Sequence, residues 1–128
     1  MKGRLVWKGN LTFEGENEKG SKTTLSKEGI SPMEMLLLSL GGCTGMDVIS
    51  ILQKMKEPVE EMEIEVEGKR EEEHPRVFTE INLKFIVYGK VNPEKLKRAI
   101  ELSQERYCSV SIMLKRGGVE VNWEYEIR

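Results

Sequence analysis

Between positions 61 and 67 the chain reads Glu-Met-Glu-Ile-Glu-Val-Glu, placing Met62, Ile64 and Val66 on one side and glutamates on the other. That period of two belongs to a strand with one wet face. The rule continues from Val77 to Val87, where Val77, Thr79, Ile81, Leu83, Phe85 and Val87 occupy the odd positions. With His74-Pro75 in the turn, the two segments predict an antiparallel hairpin. At the end of the chain Val119, Val121, Trp123, Tyr125 and Ile127 alternate again. At its start "RLVWK", "LTF" and "KTTLS", separated by Gly9-Asn10 and "EGENEKG", predict a meander of three short strands.

Helical periodicity holds the rest. Ser31-Pro32-Met33-Glu34 has an N-cap serine, proline at the first helical position and a glutamate placed to close a capping box. The helix runs to about Met55 and is stopped by Pro58. A second helix opens at Asn92-Pro93, buries Leu96, Ala99, Ile100 and Ser103, and ends near Tyr107; a short one from Val110 to Lys115 stops at Gly117-Gly118. Strands and helices do not alternate, so the pattern predicts one α+β domain over residues 1–128: antiparallel sheet around a long central buried helix, with a second helix. The first helix is apolar almost all round its circumference. A surface helix shows one apolar stripe, so this one needs cover on both sides, which points to a second subunit.

Charge and length exclude several classes. Twenty basic residues against 22 acidic ones give a net charge of -2, with no basic field to draw nucleic acid or anionic lipid. The charge-free part of the first helix runs only from Met35 to Met46, short of the roughly 20 residues of a membrane span. No membrane association is expected. The stretch "MKGRLVWKGNLTF" lacks the apolar core of a secretion signal, and two widely spaced cysteines do not make a disulfide scaffold. A cytoplasmic location is expected.

The chemistry gathers at the cysteines. Gly41 and Gly42, just before Cys43, each cost about 1 kcal/mol relative to alanine inside a helix. Either something packs against them, or they leave a slot to the sulfur. Cys43 lies mid-helix, beyond the dipole's help, and Asp47 one turn on would oppose a thiolate if it faced it. Cys108 stands in the break between two helices, where the free amides of a helix N-terminus can stabilise a thiolate. His74, the only histidine, reads as a solvated turn residue. The cysteines lack the spacing of a structural zinc site, and there is no P-loop, G-x-G-x-x-G or nucleophile elbow.

"SPMEMLLLSLGGC", followed about 65 residues later by "YCSVS" and then "GGVEVNWEYEI", resembles the OsmC/Ohr family of thiol-dependent hydroperoxide reductases over nearly the whole chain. The resemblance implies an intertwined homodimer with its sites at the interface. Cys43 would be the peroxidatic cysteine and Cys108 the resolving one, with an organic hydroperoxide and an external thiol or dithiol as substrates and no metal or organic cofactor. Reductases of this family place a glutamate directly after the helix-opening proline to orient an arginine. Here that position is Met33, the nearby acid is Glu34, and residues 14–30 offer only Lys19, Lys22 and Lys27. Glu34 is thus the acidic site candidate, with a capping role open to it as well. Ser109 stands where proline is common. The alternatives are a non-catalytic member that binds a small apolar ligand at the interface, and a redox-sensing thiol protein.

Overall fold

In the computed structural model, which describes residues 1–128, the chain divides into two compact units, Met1–Leu36 and Leu37–Arg128. The first is the expected meander. Strands β1 (Gly3–Trp7), β2 (Thr12–Asn17) and β3 (Lys22–Ser26) pair antiparallel in that order. The β1–β2 turn uses positive φ at Gly9 and Asn10, which glycine and asparagine tolerate best. Pairing of Trp7 with Phe13 and of Phe13 with Leu25 sets an apolar row on one face. Leu5 and Trp7 are 60% and 64% exposed.

Helix α1 spans Pro32–Lys54. The amide of Ser31 donates to Glu34 Oε1 at 3.1 Å and the Glu34 amide donates to Ser31 Oγ at 3.3 Å, the reciprocal capping box the sequence predicted.

In the second unit, strands β4 (Glu61–Arg70), β5 (Phe78–Tyr88) and β6 (Glu120–Ile127) form a sheet in the order β4-β5-β6. The hairpin β4–β5 is antiparallel, but β5 and β6 run parallel, which corrects the expectation of a purely antiparallel sheet. A parallel neighbour needs a long crossover, and the helices supply it: α2 (Pro93–Leu102), a π-turn (Ser103–Tyr107) and α3 (Ser109–Arg116). Asn92 caps α2, its side chain accepting from the amides of Glu94 and Lys95. The predicted second helix does reach Tyr107, though its last turn is wound wider.

Alternation in the hairpin breaks once. The register shifts between Lys69 and Arg70, so that Arg70 pairs with Phe78 and Lys69 with Glu80. This bulge turns Phe78 inward and leaves Val77 45% exposed, the reverse of the parity expected there. The Phe78 ring fills the space over Gly68, where a Cβ would stand 2.5 Å from Cε1.

Ile81, Leu83, Phe85 and Val87 of β5 are buried with Leu96, Ala99 and Ile100 of α2 and with Leu40, Val48 and Leu52 of α1. Each of these side chains larger than alanine contributes about 1.5–3 kcal/mol by leaving water. The glycines of α1 set its approach to β4: a Cβ on Gly41 would meet Val66 Cγ1 at 2.9 Å, and one on Gly45 would meet Ile64 Cδ1 at 2.8 Å. Gly42 has nothing within 4 Å of its missing Cβ. Packing therefore explains Gly41, whereas Gly42 lies open. Within one chain α1 is buried along a single stripe and not all round. Leu38 and Met46, one turn either side of Gly42, are 49% and 76% exposed.

Candidate functional site

Thr44 and Asp47 follow Cys43 on α1 by one and four residues, and the crossover carries Cys108 to meet them. The sulfurs of Cys43 and Cys108 and a carboxylate oxygen of Asp47 all lie within 4.8 Å of one another. Both cysteines are free thiols, Cys43 half-buried and Cys108 without exposed surface. Of the residues expected to carry chemistry, these two are brought together across 65 positions. Glu34 stands at the start of α1, nine residues before Cys43, with one carboxylate oxygen on the Ser31 amide. That bond holds its carboxyl below the usual carboxylate range. His74 lies in the exposed turn between β4 and β5.

Cys108 occupies the position the sequence suggested. It is the N-cap of α3, with extended backbone, and its sulfur accepts from the Ser111 amide at 3.4 Å. Its own amide closes the π-turn on the Ser103 carbonyl at 2.7 Å. Such widened turns recur at functional sites. Here the turn fixes Ser103 and Gln104, both buried, beside α1.

A polar chain connects the parts. Ser111 Oγ donates to Gln104 Oε1 at 2.7 Å, so the amide's nitrogen faces Thr44 and donates to its Oγ1 at 3.0 Å. With that oxygen accepting from Gln104, the Thr44 hydroxyl proton goes to Cys108 Sγ at 3.3 Å. Lys115 Nζ donates to the Gln104 carbonyl at 3.0 Å, and Ser103 Oγ donates to Asp47 Oδ2 at 2.9 Å. No buried side-chain nitrogen or oxygen lacks a partner. Burial pushes the Cys108 thiol up from its ordinary value, while the hydrogen bonds from Thr44 and Ser111 pull the other way and the neighbouring Cys43 adds to the rise. The sequence reading overlooked Thr44, Gln104 and Ser111. Their signal was present: each is a polar residue within four positions of a cysteine.

A concavity of about 510 Å³ lies elsewhere, along Glu65, Asn82, Lys84, Asn122 and Glu124 of the second sheet. Those residues alternate with the core-facing ones, so this groove belongs to the wet face and holds no nucleophile.

A long capped helix with cysteine at its centre, laid by glycines on a hairpin and met by a second thiol at a helix N-cap, defines a recognisable class, and the OsmC-like protein family model matches residues 25–124. The chain belongs to that family. It is 42% identical to Protein YhfA of Escherichia coli (strain K12), over 99% of this chain and 98% of that one. Among solved structures, a hypothetical protein from Aquifex aeolicus VF5 superposes with a TM-score of 0.89 at 37% identity, over 99% of this chain and 96% of that one. An organic hydroperoxide resistance protein OsmC from Legionella pneumophila shares the fold, with a TM-score of 0.71 at 15% identity over 98% and 95% of the two chains.

Proposed function

We propose that this chain is a thiol-dependent peroxidase acting on organic hydroperoxides, with Cys43 as the peroxidatic and Cys108 as the resolving residue. The observation that carries the reading is the meeting of the two free sulfurs within 4.8 Å across the crossover. Their unequal exposure supports this division of roles. A hydroperoxide reaches half-buried Cys43 before it reaches Cys108, which has no surface at all.

In the first step the Cys43 thiolate attacks the distal oxygen of ROOH. The O–O bond breaks, the alkoxide takes a proton and leaves as ROH, and sulfur keeps the hydroxyl as a sulfenic acid. Cys108 then attacks that sulfur, forming the disulfide and releasing water. An external dithiol gives two electrons and two protons to restore both thiols and is itself oxidised. Family membership, and the name of a fold neighbour as an organic hydroperoxide resistance protein, agree with this chemistry.

The proposal includes a homodimer. Leu38, Gly42 and Met46 form an uncovered row on α1, and Leu5 and Trp7 another on the first sheet; a second copy of the chain is the occupant proposed for both. Glu34 enters as the acid that would orient a cation toward the site, a role it would share with the capping box. A cytosolic setting, which keeps thiols reduced, completes the reading.

The test is consumption of cumene hydroperoxide by the purified protein with a dithiol reductant, followed by non-reducing peptide mapping. Turnover together with a Cys43–Cys108 bridge within one chain is expected. No consumption above background, or bridges only between chains, would overturn it.

A further inference from the structure

The triangle of Cys43 Sγ, Cys108 Sγ and the Asp47 carboxylate oxygen has no side longer than 4.8 Å. In a tetrahedral zinc site, with sulfur about 2.3 Å and oxygen about 2.1 Å from the ion, ligand atoms stand roughly 3.5–3.8 Å apart. Small side-chain rotations bring the three groups to that spacing. Asp47 is half-buried and makes no ion pair. Its carboxylate faces two thiols and accepts a hydrogen bond from Ser103.

The surroundings resemble the outer shell that orients metal ligands. Ser103 fixes Asp47 Oδ2, while the Thr44 hydroxyl and the Ser111 amide both aim protons at Cys108 Sγ. Those donors hold the ligand atoms in place. Two sulfurs and one oxygen suit a borderline-soft ion, and calcium or magnesium, which take six or more oxygens, are poorly served. Sequence spacing could not reveal this set, since two ligands come from α1 and the third from the N-cap of α3.

We propose that the reduced chain binds one zinc-class divalent cation through Cys43, Cys108 and Asp47. The fourth position is left to water. Binding two thiols and a carboxylate expels two protons and leaves the ion without a redox role. Because the ion and the disulfide need the same two sulfurs, each excludes the other. Regulation of peroxide turnover by the ion rests on the peroxidase reading; binding itself rests on the geometry alone.

The experiment titrates reduced, chelator-treated protein with cadmium, a zinc analogue whose thiolate complexes absorb in the ultraviolet. The absorption should rise to a break at one cadmium per chain, zinc should compete for the site, and both thiols should be shielded from alkylation. Asp47→Asn should weaken binding about tenfold or more, and the disulfide form of the wild type should give no band. On zinc-loaded wild type, X-ray absorption should show two sulfur neighbours with oxygen completing the shell. Absence of the band, an all-sulfur shell, or undiminished affinity in folded Asp47→Asn would overturn the site. Hydroperoxide consumption is read separately on metal-free protein: its absence with cadmium bound would remove only the peroxidase reading, and turnover without cadmium binding would remove only the metal site.

Discussion

Thr44 donates its hydroxyl proton to Cys108 Sγ at 3.3 Å because Gln104, 60 residues away in sequence, occupies the other side of the same oxygen at 3.0 Å. A single β-branched residue next to Cys43 therefore sets the polarity around the second sulfur.

Thr44→Val keeps the shape and removes the hydroxyl. It strands the buried Gln104 Nε2 and should cost about 1–3 kcal/mol, read by urea unfolding. The Cys108 thiol loses a donor and becomes harder to ionise, so Cys43 sulfenic acid should accumulate in a trapping assay after one equivalent of hydroperoxide. Thr44→Ser should restore both readouts. Unchanged stability in Thr44→Val would dissolve the relay.

Cys43→Ser should abolish hydroperoxide consumption, since no other exposed nucleophile adjoins the site. Cys108→Ser should allow the first oxidation and then over-oxidation of Cys43 to sulfinic acid, visible as a mass increase on the peptide carrying it. If both variants fail in the same way, the division of roles is wrong.

Burial raises the Cys108 thiol above its ordinary value, so the folded chain holds that proton more tightly than the unfolded one does. The resulting stabilisation is fully present below the unfolded value and is lost as pH climbs through the folded one. Reduced, metal-free protein should lose stability on the alkaline side more steeply than its Cys108→Ala variant. Glu34 has the opposite sign. Its carboxyl is lowered by Ser31, so its contribution is present above the ordinary carboxylate value and disappears as pH falls through the folded one. Glu34→Gln should flatten the acid limb of the same unfolding profile.

Gly41→Ala and Gly42→Ala each regain about 1 kcal/mol of helix propensity. At Gly41 the added methyl meets Val66 Cγ1 at 2.9 Å, and overpacking of about 1–3 kcal/mol should leave a net loss in melting temperature. At Gly42 the chain itself offers no obstacle, so a monomer should gain stability. With the proposed second copy seated there, Gly42→Ala should instead lower the melting temperature and shift the light-scattering mass toward monomer. That is the expected outcome.

Patterning revealed whatever depends on near neighbours in sequence. The glutamate alternation from Glu61 to Glu67 located β4, Ser31 and Glu34 marked the start of α1, and the break between Tyr107 and Val110 placed Cys108 at a helix N-terminus. What stayed hidden depends on partners. Parallel pairing of β5 with β6 follows from the route of the crossover, on which the alternation of Val121, Trp123 and Tyr125 is silent. The inward turn of Phe78 comes with a bulge and uses the space over Gly68 on the facing strand. Cys43 and Cys108 could be named separately, but Gln104 and Ser111 acquire meaning only once Thr44 stands opposite them.

In the proposed peroxidase, the unequal exposure of the two sulfurs would also govern the return half of the cycle. An external thiol would not reach Cys108, which has no accessible surface, and would strike the disulfide at Cys43. The mixed disulfide would then form on Cys43, with Cys108 as the leaving group. A high-pKa thiol departs slowly, which makes the donors from Thr44 and Ser111 most valuable when the bond breaks. Oxidant and reductant would thus enter by a single doorway, and any molecule able to recharge the protein must fit the opening that admits the peroxide.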